Sequence, residues 1–294
     1  MTALPQPAPI SGKRIINVCV DDFGQHEGIN RAALDLADRH RVSAVSCLVD
    51  GPAWASGARA LQARANRVEA GLHLNFTEDF GQGTCHALPG LIARAYGHLL
   101  DHVRIRAAIE RQFERFEQAM GRLPDFVDGH QHVHQLPVIR DQLVAVMNQR
   151  YGSARPWLRS TLPPARLNAG LPLSATLKSS LIGWLGARSL RALASQQGYT
   201  QNNCLVGVYG FELSDVGYLE KIRTWLDCAS DGDVLMCHPS VPWTGGDPLQ
   251  DARNQEYRAL SSEVFSALLE SDGLEIGPLR GGALPAKAGA GSGR

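Results

Sequence analysis

Short, nearly continuous apolar runs that stop abruptly at polar residues recur along this chain, and they restrict its architecture more than any other feature. Arg14-Ile15-Ile16-Asn17-Val18-Cys19-Val20 ends in Asp21-Asp22-Phe23-Gly24. The run from Glu69 to Thr77 carries His73 between two leucines, and Phe126-Val127-Asp128 leads into Gly129-His130-Gln131-His132-Val133-His134. Asp233 to Cys237 ends in His238-Pro239. Such runs suit strands buried on both faces, as in a parallel sheet. Further strands are predicted over 42–49, 157–159, 203–208 and 274–277.

Between the runs, apolar residues recur at helical spacing. Ile29, Ala33, Leu36 and Ala37 mark a helix over 28–40, and a second is expected over 53–65. Ile105, Ile109, Phe113, Phe116 and Met120 form one stripe, stopped by Gly121 and Pro124. Ile139, Leu143, Val146 and Met147 form another. Helices are also predicted over 174–197, 217–228 and 254–271, with irregular loops over 78–103 and 240–255. Alternating strands and helices imply an α/β fold with parallel strands and helical crossovers. A chain of 294 residues that is 44% hydrophobic can build this as one large domain.

Other classes are disfavoured. Net formal charge is zero and no basic stripe occurs, so no nucleic-acid partner is expected. No apolar run is long enough for a transmembrane segment, and the start lacks the pattern of a signal peptide, so a cytoplasmic location is expected. The six cysteines are scattered, as free thiols in a reducing compartment would be. There is no GxGxxG, P-loop or GxSxG sequence. The Pro- and Ala-rich residues 1–13 read as a flexible arm, and 286–294 as a disordered tail.

The chemistry-bearing residues lie where the runs end. In a parallel barrel these ends share one mouth. Asp21 and Asp22 follow the first strand, and one of them, Asp22, also suits a helix N-cap, which needs only one acid. In an extended segment His130, His132 and His134 would point to one face. A carboxylate and two imidazoles can hold a divalent metal with positions left open, a second carboxylate can take a proton from water, and a histidine can protonate a leaving amine. That equipment suits metal-assisted amide hydrolysis.

Val-Asp-Asp-Phe-Gly, Gly-Leu-His-Leu-Asn, Asp-Gly-His-Gln-His-Val-His-Gln-Leu-Pro and Met-Cys-His-Pro occur here in the order seen in YdjC-type carbohydrate deacetylases. From about Arg14 to Gly277 the chain resembles that family, which includes diacetylchitobiose deacetylases and a hopanoid-associated branch. Two departures remove no functional group: Val precedes the acid pair, and Gly129 stands where Ser or Ala is frequent. The resemblance implies a distorted (β/α) barrel over 14–285 with a helical excursion over 160–200. It implies one divalent ion, Mg2+ or Zn2+, held by Asp22, His73 and His130, with Asp21 as general base and His238 as general acid. Arg159 falls where related deacetylases keep an arginine near the base. Asp128, His132 and His134 are assigned to supporting the ligands and base or to substrate binding, and one-sided alternation also permits direct metal or substrate contact by His132 or His134. The substrate is expected to be an N-acetylated sugar or glycolipid. Hydrolysis of another amide or a phosphoester, or sugar binding without catalysis, are the alternatives. The apolar stripe Leu173, Leu177, Leu181, Trp184, Leu185 and Leu193 is expected to border the mouth, cap the barrel or cover a homodimer contact.

Overall fold

A computed structural model describes residues 13–81, 85–169, 183–211 and 214–279. The chain alternates β1 (Arg14–Phe23), α1 (Glu27–Asp38), β2 (Ala44–Cys47), α2 (Trp54–Gln62) and β3 (Glu69–Leu74). It continues through α3 (Leu88–Tyr96), α4 (His102–Met120), β4 (Phe126–Gly129), a 3-10 turn (His130–Gln135), α5 (Ile139–Tyr151) and β5 (Trp157–Leu158). Then come α6 (Arg188–Gln196), β6 (Leu205–Val206), α7 (Asp215–Cys228), β7 (Asp233–Cys237), α8 (Gln250–Ser261), α9 (Glu263–Ser271) and β8 (Leu274–Ile276).

Strand order is β5-β4-β3-β2-β1-β7-β6, every described pairing is parallel, and β8 pairs with the first residues of β1. The ring is completed without a β5–β6 ladder. Leu158 bridges Gln201, and the Asn202 amide bonds both main-chain groups of Ser160, accepting from its N–H at 2.7 Å and donating to its carbonyl at 2.9 Å. The result is the distorted (β/α) barrel that the sequence implies.

Alternation along each strand sorts side chains between barrel interior and helical jacket. Ile16, Val18 and Val20 join the main core with Ile29 and Leu36 of α1, while Cys19 belongs to a smaller cluster with Ala44, Phe126, Trp157, Val234 and Met236. Below it, Asn17 donates to Glu69 at 2.7 Å. The interior thus holds Asn17, Cys19 and Asp21 in successive layers, and the same period carries β3 from Glu69 through Gly71 to His73. Phe126 and Trp157 stack at 4.5 Å inside, over Gly71, where an added Cβ would lie 2.3 Å from the Phe126 ring.

Four expectations are corrected. The 78–103 segment contains α3, started by Leu88-Pro89 and anchored by buried Leu91 and Ala95. The expected helix over 254–271 is two helices, because Ser262 leaves the helical conformation and caps α9 through the Phe265 N–H. The N-cap of α1 is His26, whose Nδ1 accepts from the Gly28 N–H, not Asp22. His130, His132 and His134 do not alternate on an extended strand, because the strand stops at Gly129 and left-handed Gln131 and His132 wind the segment into a turn.

In the excursion, Leu173, Leu177, Leu181 and the Trp184 side chain lie outside the described residues, as do 1–12 and the tail from 280. The described part kinks at Gly186 before α6, and Leu185 and Leu193 pack against the main core. Among the described residues, no helix is long and apolar enough to cross a membrane.

Gly71→Ala tests the interior packing. It should destabilise the fold by about 1–3 kcal/mol through overpacking against Phe126. The expected readout is a lower urea midpoint at unchanged m-value; an unchanged midpoint would contradict this packing.

Candidate active site

Consecutive strand residues point to opposite faces, so Asp21 and Asp22 could not both face the interior of a regular strand. The strand is irregular at this place. Its pairing with β2 shifts register between Val20 and Phe23, and Asp22 has φ 65°. Asp tolerates the left-handed region better than most residues. The bulge turns both carboxylates into one cavity of about 320 Å³, within the usual size of a small-molecule site.

Asp22, His73 and His130 meet at this cavity. Asp22 Oδ1 lies 2.8 Å from His130 Nδ1 and 3.4 Å from His73 Nε2. The other ring nitrogen of His73 lies 2.7 Å from Asp128 Oδ1, which also accepts from the Ser46 hydroxyl. Asp128 thereby orients His73 so that Nε2 faces Asp22. Burial opposes charge on His73, but the neighbouring carboxylates, Asp128 first, outweigh it and push its pKa up to about 10.

Arg159 locks the second acid. It donates to Asp21 Oδ2 at 2.6 Å and Oδ1 at 2.8 Å, and its guanidinium lies 2.7 Å from Asp128 Oδ2. His134 fixes the arginine's main chain, with Nε2 3.0 Å from the Arg159 carbonyl. Burial holds the His134 imidazole down to about 4. His132 lines the cavity, and burial, reinforced by the nearby cationic groups, keeps its pKa well below the ordinary range. His238, at the end of β7, lines the same cavity, with Phe211 edge-on at 5.3 Å. Asp128, His134 and Arg159 do not line it; they stand behind the residues that do.

Three buried carboxylates, Asp21, Asp22 and Asp128, face two buried guanidiniums, Arg159 and Arg253. Arg253 is shared with a further acid, Asp247, at 2.8 Å. The excess of negative charge and the two imidazoles fit a divalent cation. One ligand atom from each of Asp22, His73 and His130 lies within 4.8 Å of the others, and His130 Nε2 is buried without a hydrogen-bond partner. Asp21, His73 and Asp128 also come within that distance. In that second set, however, both carboxylates are held by Arg159.

Several site residues escaped sequence reasoning. Arg253 and Glu256 lie one turn apart on the buried face of α8, beside Ala252, Ala259 and Leu260. A charged pair on an otherwise apolar helix face was the available signal. Glu78 approaches His130 Nε2 at 3.5 Å. It is placed by a turn in which Asn75 Oδ1 accepts from the Thr77 and Glu78 N–H groups. Val208, Tyr209, Phe211, Met236, Pro248 and Leu249 supply an apolar lining.

Residues 15–271 match the YdjC-like protein family, and the chain belongs to it. A mouse protein named carbohydrate deacetylase is 29% identical over 88% of this chain and 92% of its own length. A Serratia marcescens protein named chitooligosaccharide deacetylase is 25% identical over 78% of this chain and 82% of its own. A crystal structure from Enterococcus faecalis V583, described in terms of cellobiose-phosphate cleavage, superimposes with a TM-score of 0.66 at 15% identity, over 90% of this chain and 97% of that one. This last likeness shows that the two chains share a fold.

The buried His134 sets an acid-side stability slope. An unfolded imidazole titrates near 6.5, whereas this one refuses its proton down to about 4. The unfolded chain therefore binds more protons within that window, and stability falls as pH drops from about 6.5 to 4, by about 3 kcal/mol from this group. His134→Asn, which can still donate to the Arg159 carbonyl, should flatten the slope in urea titrations across that range. An unchanged slope would contradict the assignment.

Proposed function

We propose that this chain is a metal-dependent hydrolase that removes N-acetyl groups from an amino sugar in a carbohydrate or glycolipid. The observation that carries the reading is one cavity lined by Asp22, His73 and His130 together with a separately anchored acid, Asp21, and a histidine, His238, on the other side of β1. The names of the mouse and Serratia marcescens relatives support the same substrate class.

Asp22, His73 and His130 would hold one divalent ion, Zn2+ or Mg2+, and two imidazoles suit zinc better. When bound, such an ion polarises the acyl oxygen and acidifies water. The chain supplies the remaining steps. Arg159 fixes both oxygens of Asp21; Oδ1 also accepts from the Cys19 thiol, and Oδ2 retains a lone pair able to accept a proton. Asp21 takes the proton from the attacking water as its oxygen adds to the acetyl carbon. His238 gives a proton to the amide nitrogen as the C–N bond breaks, releasing acetate and the free amino sugar. Tyr209, Phe211 and Met236 make part of the lining apolar, which limits water around the reacting groups. Asp128 and His134 act behind these residues, keeping His73 and Arg159 in place.

Acetate release from N-acetylated chitooligosaccharides, measured beside p-nitrophenyl phosphate turnover, tests the reaction class; phosphatase activity alone would overturn it. Asp21→Asn should keep its metal by elemental analysis while losing about a hundred- to ten-thousandfold in kcat. His73→Ala and His130→Ala should each lose metal and activity together. Stoichiometric metal in either histidine variant would remove that residue from the ligand set.

A further inference from the structure

The geometry points to Arg253 and Glu256, one turn of α8, as positioning residues that set the metal-binding carboxylate against the proton-donating histidine. This rests on the function proposed above and concerns residues to which that function gave no part. Both side chains are buried, at 2% and 0% exposure. A buried guanidinium costs several kcal/mol unless well paired, so its place on a helix face needs an explanation, and its contacts supply one.

Arg253 donates to Asp22 Oδ2 at 2.8 Å. The same guanidinium reaches Gln25 Oε1 at 3.1 Å, the His238 carbonyl at 3.4 Å and Asp247 Oδ2 at 2.8 Å. Asp247 is in turn bound by His26 at 3.1 Å, and the His26 ring stacks on Trp243 at 4.1 Å. Arg253 is therefore fixed by partners other than Asp22, of which Gln25 and Asp247 line the cavity beside it. By occupying Oδ2 it leaves Oδ1 of Asp22 as the atom presented to His73 and His130, so the carboxylate meets a cation through one oxygen. Asp22 needs such an anchor because its left-handed backbone departs from the strand that would otherwise define its direction.

Glu256 performs the matching task for His238. It accepts from the His238 N–H with one oxygen and from the Tyr209 hydroxyl, at 2.6 Å, with the other. That second oxygen lies 3.9 Å from His238 Nδ1, which is buried without a hydrogen-bond partner. A carboxylate facing Nδ1 turns the opposite nitrogen, Nε2, toward the substrate side of the ring. Because the two residues share one helical turn, a rigid element braces Asp22 against His238, in addition to the pairing of β1 with β7 that brings them near.

The test is Zn2+ affinity of the apo-protein, measured by competition with a chromogenic chelator, beside kcat, KM and thermal melting. Arg253→Lys keeps the buried positive charge but lacks the fork needed to hold Asp22, Asp247 and the His238 carbonyl together. It should melt within a few degrees of wild type and bind Zn2+ about tenfold more weakly, with Arg253→Gln weaker again, toward about a hundredfold. Glu256→Gln should bind Zn2+ as wild type does yet lose about tenfold or more in kcat at nearly unchanged KM. Wild-type Zn2+ affinity in Arg253→Lys would overturn the role of Arg253. Unchanged kcat in folded Glu256→Gln would overturn that of Glu256. The Zn2+ measurement is independent of substrate, so a failure of the deacetylase reading would leave the affinity order intact and would be recognised separately.

Discussion

The bulge at Asp21-Asp22 is the constraint on which the rest of the site depends. A regular β1 would send one acid to the interior and the other into the helical jacket, among Val18, Val20 and Leu36. The left-handed turn at Asp22 brings both to the cavity. Such a backbone costs about 1–3 kcal/mol and persists only where its surroundings fix it. Here they do: Arg253 holds Asp22 from one side and His130 faces it from the other, while Arg159 grips Asp21 with two hydrogen bonds. The two acids thus acquire different surroundings despite being neighbours in sequence, and different surroundings allow different roles.

The electrostatics follow from this separation. Arg159 serves Asp21 and Asp128, and Asp128 serves His73, so the anchored acid and one imidazole share a buried network. Removing any member would leave a desolvated charge unpaired, which is more damaging than the pair itself is stabilising. Burial resists ionisation of Asp22, yet His130 and Arg253 overcome it and keep its pKa well below the usual carboxylate range. The carboxylates that push the His73 pKa up are the same groups that make this spot compatible with a cation.

Much of this was readable because strand period and strand ends carry physical meaning. Asp21, His73, Asp128 and His238 each end or nearly end a buried apolar run, and a parallel barrel brings such ends to one mouth. The 3.6-residue stripes located α1, α4 and α5 to within a few residues. The histidine cluster was misread because Gln131 and His132 adopt left-handed conformations that periodicity cannot signal. His134 consequently supports the Arg159 main chain instead of sharing a face with His130. Arg253 falls in the expected loop because the helix starts at Gln250, earlier than its pattern indicates, and both Arg253 and Glu256 escape notice because tertiary pairing places charge on the buried face of that helix. The apolar lining from Tyr209 and Phe211 depends on a loop whose course no local pattern dictates.

The division of labour between the two acids is the central claim, and zinc location tests it most directly. Two overlapping clusters could hold an ion: Asp22, His73 and His130, or Asp21, His73 and Asp128. In a crystal grown with Zn2+, the anomalous difference peak should lie about 2.0–2.2 Å from donor atoms of the first three residues. Asp21 should remain paired with Arg159. A peak bonded to Asp21 and Asp128, with Asp22 left to Arg253 alone, would exchange the roles of the two acids and contradict the account.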